Sequence, residues 1–236
     1  MTRPVVHDTA EDGGMTRAAP QEAMRIVLRP LASPLPLGFL GLAGGTITLS
    51  GQQLGWVPAV TSHLVAVAIL LLAVPLQLIA SLIGFLSRDP VAATGMGTLA
   101  ATWATTGVLT LLSPPAQRSP VLGLILFYLA AAVLVSALVA ATGKGLVALV
   151  LTMAAARFAL TGVYEFVGGP GWMSTAGWVG LALCAIALYA ALALELESMQ
   201  HRPVLPTLRW GAARRTLTDD GLSTVGAAHR EAGVRE

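Results

Sequence analysis

The chain has 236 residues, of which 55% are hydrophobic and 11% charged. A soluble domain carries about 25% charged residues, so an ordinary water-soluble fold is excluded. A formal net charge of +2, with basic residues not interleaved with aromatics, excludes a nucleic-acid surface.

The charge deficit is uneven. From Leu31 to Leu196 the only charged side chains are Arg88, Asp89, Arg118, Lys144, Arg157, Glu165 and Glu195. This is the layout of a polytopic membrane protein with polar tails. The one cysteine, Cys184, lies inside an apolar run, so no disulfide framework exists within the chain.

Residues 1–30 contain Asp8, Glu11, Asp12 and Glu22 and no apolar core of signal-peptide length. They are expected to form a disordered cytoplasmic tail with one short amphipathic turn around Glu22–Leu28. Ser33-Pro34-Leu35-Pro36 then leads into a first helix, because proline is tolerated in a first turn. Six apolar stretches follow, over about Leu37–Leu54, Val60–Leu86, Val91–Leu112, Val121–Ala141, Leu146–Val167 and Thr175–Leu196. About 20 residues of helix cross the hydrocarbon of a bilayer. The breaks, among them Ser87-Arg88-Asp89-Pro90 and Gly168-Gly169-Pro170-Gly171, are rich in turn residues. The expected fold is an all-α integral membrane bundle of six transmembrane helices over 31–200, followed by a cytoplasmic tail over 201–236. Alternating ten-residue strands, the mark of a membrane barrel, are absent from the sequence.

Basic residues set the orientation. With both termini inside, the inner loops carry Arg88 and Lys144, the tails carry Arg25, Arg29, Arg202, Arg209, Arg214 and Arg215, and the outer loops carry only Arg118. The expected location is the plasma (inner) membrane. Small residues such as Gly41, Gly44, Gly45, Gly95, Gly97 and Ala154–Ala156 let helix backbones approach closely.

Arg157 sits near the middle of the fifth helix, where a charge costs about 3 kcal/mol on insertion scales. Two readings stand level. In one, the guanidinium serves an anion path, since it stays charged and holds a carboxylate through two bonds. In the other it forms a structural ion pair, with Glu165 two turns away as the partner. Glu165 itself reads more often as a solvated interface residue than as a titratable gate, and His63 as a hydrogen-bonded interface residue. Gln52 and Gln53 end the first helix, Gln77 lies deep in the second, and Thr46, Thr48 and Ser50 give the first a polar edge. These line a path or hold helices together, often through threonine hydroxyls bonded one turn back. No metal spacing, nucleophile elbow or phosphate loop occurs. Neither an enzyme nor a cofactor is expected.

The stretch Ser33-Pro34-Leu35-Pro36-Leu37-Gly38-Phe39-Leu40-Gly41 resembles the helix-1 signature of the acetate uptake transporter family, also called the succinate–acetate permease family. Gln77 and Ala80, Trp103, Phe158-Ala159-Leu160, Ala176-Gly177-Trp178-Val179-Gly180 with Tyr189, and Arg202-x-Val204-Leu205-Pro206 continue the likeness over about Ser33–Pro206. The resemblance implies cytosolic termini and a homo-hexamer in the lipid bilayer. It also implies one pore per protomer for acetate and related short carboxylates, with protons as a candidate co-substrate. The family's helix-1 asparagine is Ser33 here. Its aromatic and aliphatic constriction falls at Leu42, Leu99 and Ala154, which implies a wider, less aromatic lining. A carboxylate common near the end of helix 2 falls at Gly84. Arg157, one turn from Ala154, is expected to supply the lost polar contact to an anion. The substrate-binding candidates are thus Arg157, Leu42, Leu99, Ala154, Ser33 and Gln77. A channel for a small neutral solute of urea or amide type, or a non-transporting sensor or scaffold, are the alternatives.

Overall fold

The computed structural model describes residues 31–115, 117–200 and 204–209. The expectations for residues 1–30 and 210–236 lie outside the described residues. Six α-helices make up the described chain: α1 (Leu35–Gln53), α2 (Ser62–Leu86), α3 (Pro90–Leu112), α4 (Pro120–Ala140), α5 (Gly145–Val167) and α6 (Pro170–Gln200). A single 3₁₀ turn, Ala59–Thr61, leads into α2.

Each helix packs on its neighbours in sequence, and α6 returns to α1, so the six close into a ring in chain order. Short connections force neighbours to run antiparallel. The starts of α1, α3 and α5 therefore lie at one end, here termed lower, and the starts of α2, α4 and α6 at the upper end.

Prolines and caps fix the boundaries. Pro90 and Pro120 each occupy a first helical position, where the missing N–H costs nothing. Before them, the Asp89 carboxylate accepts from the Ala92 N–H at 3.2 Å, and the Ser119 hydroxyl accepts from the Leu122 N–H at 3.3 Å. The same logic corrects the start of the last helix. Pro170 opens α6 instead of belonging to the break, so α6 begins five residues before Thr175 and runs 31 residues, about 46 Å.

Four helices are long and apolar enough to cross a membrane: α2 with its leading turn, α4, α5 and α6. Helices α1 and α3 are rich in Gly, Ala, Thr and Ser, which lowers their hydropathy. Their hydroxyls are absorbed locally: Thr48 donates to Gly44 O, Thr94 to Pro90 O, Thr98 to Thr94 O and Thr102 to Thr98 O, at 2.6–2.8 Å. Small residues also set the spacing between helices. A Cβ on Gly84 of α2 would stand 2.5 Å from the Ala93 amide nitrogen of α3. The two backbones touch there, and no carboxylate fits at this position.

At the lower end, Lys144 Nζ donates to Asp89 Oδ2 at 2.6 Å, joining the starts of α5 and α3. Residues 204–209 fold back over the same end. Gly145 N donates to Leu208 O at 2.9 Å and Leu146 N to Thr207 O at 3.3 Å, capping α5 with carbonyls from beyond α6. Tyr189 Oη donates to Pro206 O, Arg209 pairs with Glu197 of α6, and Thr207 is buried.

Candidate functional site

On α1, Leu42, Thr46, Ser50 and Gln53 are spaced by three or four residues and share one buried face. This corrects the polar edge expected at Thr46, Thr48 and Ser50, because Thr48 turns back on its own helix. On α5, Ala154, Arg157 and Thr161 form a second such stripe. In the ring α6 separates α1 from α5, so side chains linking the two stripes reach across the interior.

Arg157 makes that link. Its Nη2 donates to Ser50 Oγ at 3.3 Å and to Gln53 Oε1 at 3.4 Å. Its guanidinium lies 5.6 Å from the Trp103 ring centroid, a cation–π contact from α3. The whole residue has no accessible surface. Nε and Nη1 find no acceptor among the described residues. Gly180 of α6 makes the space: a Cβ there would stand 2.5 Å from Arg157 Nε and would collide with Ser50 Oγ.

The ion pair with Glu165 is not formed. Glu165 accepts from the Ser119 N–H at 2.7 Å, at the upper end of α5. Eight residues of helix separate it from Arg157, about 12 Å. Arg157 is thus a fully buried cation with two long bonds to neutral oxygens and, among the described residues, no carboxylate beside it. Buried charges are ordinarily paired.

Directly above lies a cavity of about 440 Å³ at the upper end, lined from all six helices and the turn that leads into α2. Its polar walls include Gln52, Thr106, Thr110, Gln117, Tyr164 and Glu165, with Leu49, Leu109 and Met173 as apolar surface. Gln53 and Thr161 line it too, and they stand between it and Arg157. Gln53 Nε2 donates to Thr161 Oγ1 at 3.3 Å, and Thr161 Oγ1 in turn donates to Arg157 O at 3.1 Å.

Below Arg157, Leu42, Leu99 and Ala154 belong to one apolar core and have no accessible surface. Trp103 and Phe158 meet edge to face at 5.6 Å, and with Phe39 they fill the same core. Gln77 is buried on α2 and donates to Gly38 O of α1 at 3.4 Å. Its Oε1, Thr46 Oγ1 and Trp103 Nε1 are buried without a partner among the described residues. Ser33 is exposed before α1 at the lower end, and His63 is exposed at the start of α2. The structure therefore gathers Arg157, Leu42, Leu99 and Ala154 in one interior, sets Gln77 at the α1–α2 contact and leaves Ser33 outside. Sequence reasoning named Ser50, Gln53, Trp103 and Gly180 but did not join them to Arg157. The spacing of Thr46, Ser50 and Gln53 was the available signal.

Apolar spans closed into a ring around a buried polar column define a multi-pass, all-α membrane protein. No family model and no curated protein matches the sequence. The fold is similar to a solved structure of the bacterial acetate channel SatP, with a TM-score of 0.68 and 24% sequence identity, over 75% of this chain and 99% of that one. At that identity the likeness is one of fold.

Proposed function

We propose that this protein is a channel or transporter for acetate and related short carboxylates. The observation that carries the reading is Arg157, a buried guanidinium with no carboxylate beside it among the described residues, set below a cavity of mixed polar and apolar walls. An anion entering an apolar constriction must shed water, and a fixed positive charge offsets that loss. Guanidinium suits a carboxylate because its forked donors match two oxygens. The unpartnered Trp103 and Thr46 polar atoms offer further donors in the same interior. Leu42, Leu99 and Ala154 form the closed apolar segment that the solute must part. We assign the lower end, with Arg88 and Lys144, to the cytosol, and six copies to a ring with one path each. The exposed apolar side chains of α2 and α4, such as Leu71, Leu82, Leu124 and Leu138, then meet lipid or a neighbouring copy.

A second reading draws on the cavity itself. Its lining carries Gln52, Gln53, Gln117 and the Glu165 carboxylate, with no basic side chain. That chemistry admits a neutral amide-like solute. Labelled acetate uptake into proteoliposomes, with and without an inward proton gradient, separates the two. Uptake that other short carboxylates block supports the carboxylate reading, and a rise with the gradient adds proton coupling. No acetate uptake alongside flux of labelled urea establishes the neutral-solute channel instead.

A further inference from the structure

Between the cavity and Arg157 stand Gln53 and Thr161, and of the two only Gln53 meets the guanidinium itself among the described residues. Gln53 is 7% exposed and lines the cavity floor, while Arg157 beneath it has no accessible surface. The Gln53 amide is held at both ends, its Nε2 donating to Thr161 and its Oε1 accepting from Arg157 Nη2. An amide oxygen has the shape of half a carboxylate without its charge. The bond it makes is 3.4 Å long, at the weak limit for such contacts.

We propose that Gln53 is an internal ligand and gate: its carbonyl oxygen occupies the guanidinium in the closed state, and an entering carboxylate displaces it. This deepens the carboxylate reading of the Arg157 site and rests on it. The exchange favours an anion specifically. A carboxylate replaces one long bond to a neutral amide oxygen with shorter, two-pronged bonds to a charged acceptor, and supplies the counter-charge that the buried guanidinium lacks. A neutral solute offers Arg157 nothing better than the amide it must dislodge. Thr161 holds the released amide or guides it, since its hydroxyl is already anchored to Arg157 O on the same helix face.

The test uses the full chain in proteoliposomes and three variants, each first shown to be monodisperse in detergent. Gln53→Ala removes the competitor and is expected to lower the acetate concentration for half-maximal uptake several-fold. Gln53→Glu gives the guanidinium a permanent carboxylate and is expected to reduce uptake at least tenfold. Arg157→Gln tests the underlying site and is expected to abolish uptake. Should Gln53→Glu not be recovered folded, Gln53→Ala decides alone. If both Gln53 variants transport like the parent while Arg157→Gln is inactive, the gate is refuted and the anion site stands. If Arg157→Gln transports like the parent, the anion site fails and the gate with it.

Discussion

Gly180→Ala adds a single methyl group to the wall of the Arg157 site, and its effect follows from opposed contributions. Alanine in place of glycine inside a helix gains about 1 kcal/mol. Against that, the new Cβ would stand 2.5 Å from Arg157 Nε and 3.2 Å from Nη2, and would overlap Ser50 Oγ. Overpacking a closed core costs about 1–3 kcal/mol. Displacing the guanidinium weakens its bonds to Ser50 and Gln53, a further cost of about 1–2 kcal/mol. The net is a loss of about 2 kcal/mol, and because the displaced group is the proposed anion site, acetate uptake should fall on the order of tenfold. Thermal unfolding in detergent, followed by fluorescence, reads the first effect, and proteoliposome uptake reads the second. Gly171→Ala is the control, since a Cβ there meets nothing within 4 Å. A Gly180→Ala protein that unfolds and transports like the parent would refute the placement of the guanidinium against α6.

Arg157→Met should separate stability from function. Replacing an unpaired buried charge with an apolar side chain of similar length is expected to raise thermal stability by about 1–4 kcal/mol, while acetate uptake is lost; lower stability with uptake retained would oppose both halves of the argument. Asp89 has two partners, the Ala92 N–H and Lys144 Nζ. Asp89→Ala should therefore cost about 1–2 kcal/mol in thermal unfolding, whereas Asp89→Asn, which keeps a capping oxygen, should cost about half as much. Gly84→Asp forces a side chain and a charge into the α2–α3 backbone contact and should cost more than about 4 kcal/mol. Size-exclusion chromatography should show little or no folded protein, and a well-behaved variant would contradict the close approach at Ala93.

Much of the architecture was legible in the chain because apolar runs are punctuated by proline and glycine, and those residues do sit at the helix ends. The start of α6 was misread because Gly-Gly-Pro-Gly resembles a break, yet proline in a first helical position begins a helix as readily as it ends one. All six apolar stretches read alike as spans, yet four of the helices are long and apolar enough to cross a membrane, since α1 and α3 spend their length on small and hydroxylated residues. The prominence of Arg157 was plain from one cation in an apolar segment, but its surroundings were not. Gln53 is 104 residues from Arg157 in sequence, and only closure of the ring brings it near. The pairing with Glu165 looked natural on a helical net and failed on distance alone, with Ser119 taking the carboxylate. Trp103 was visible as a matched position, while its place over the guanidinium depends on how α3 and α5 face each other.

The return of residues 207 and 208 to the first amides of α5 carries a consequence for biosynthesis. A nascent chain inserts α5 before the ribosome reaches the carbonyls that will cap it, so the lower end of that helix waits, open, until residues 207 and 208 have been made. A product that stops after α6 would contain all six described helices and still present uncapped α5 amides and a Glu197 without Arg209 at the lower end. Membrane quality-control proteases that probe loose helix ends are thereby given one seam at which to sort chains with and without residues 204–209, and the 236-residue chain should outlive one truncated after Gln200 in a pulse–chase.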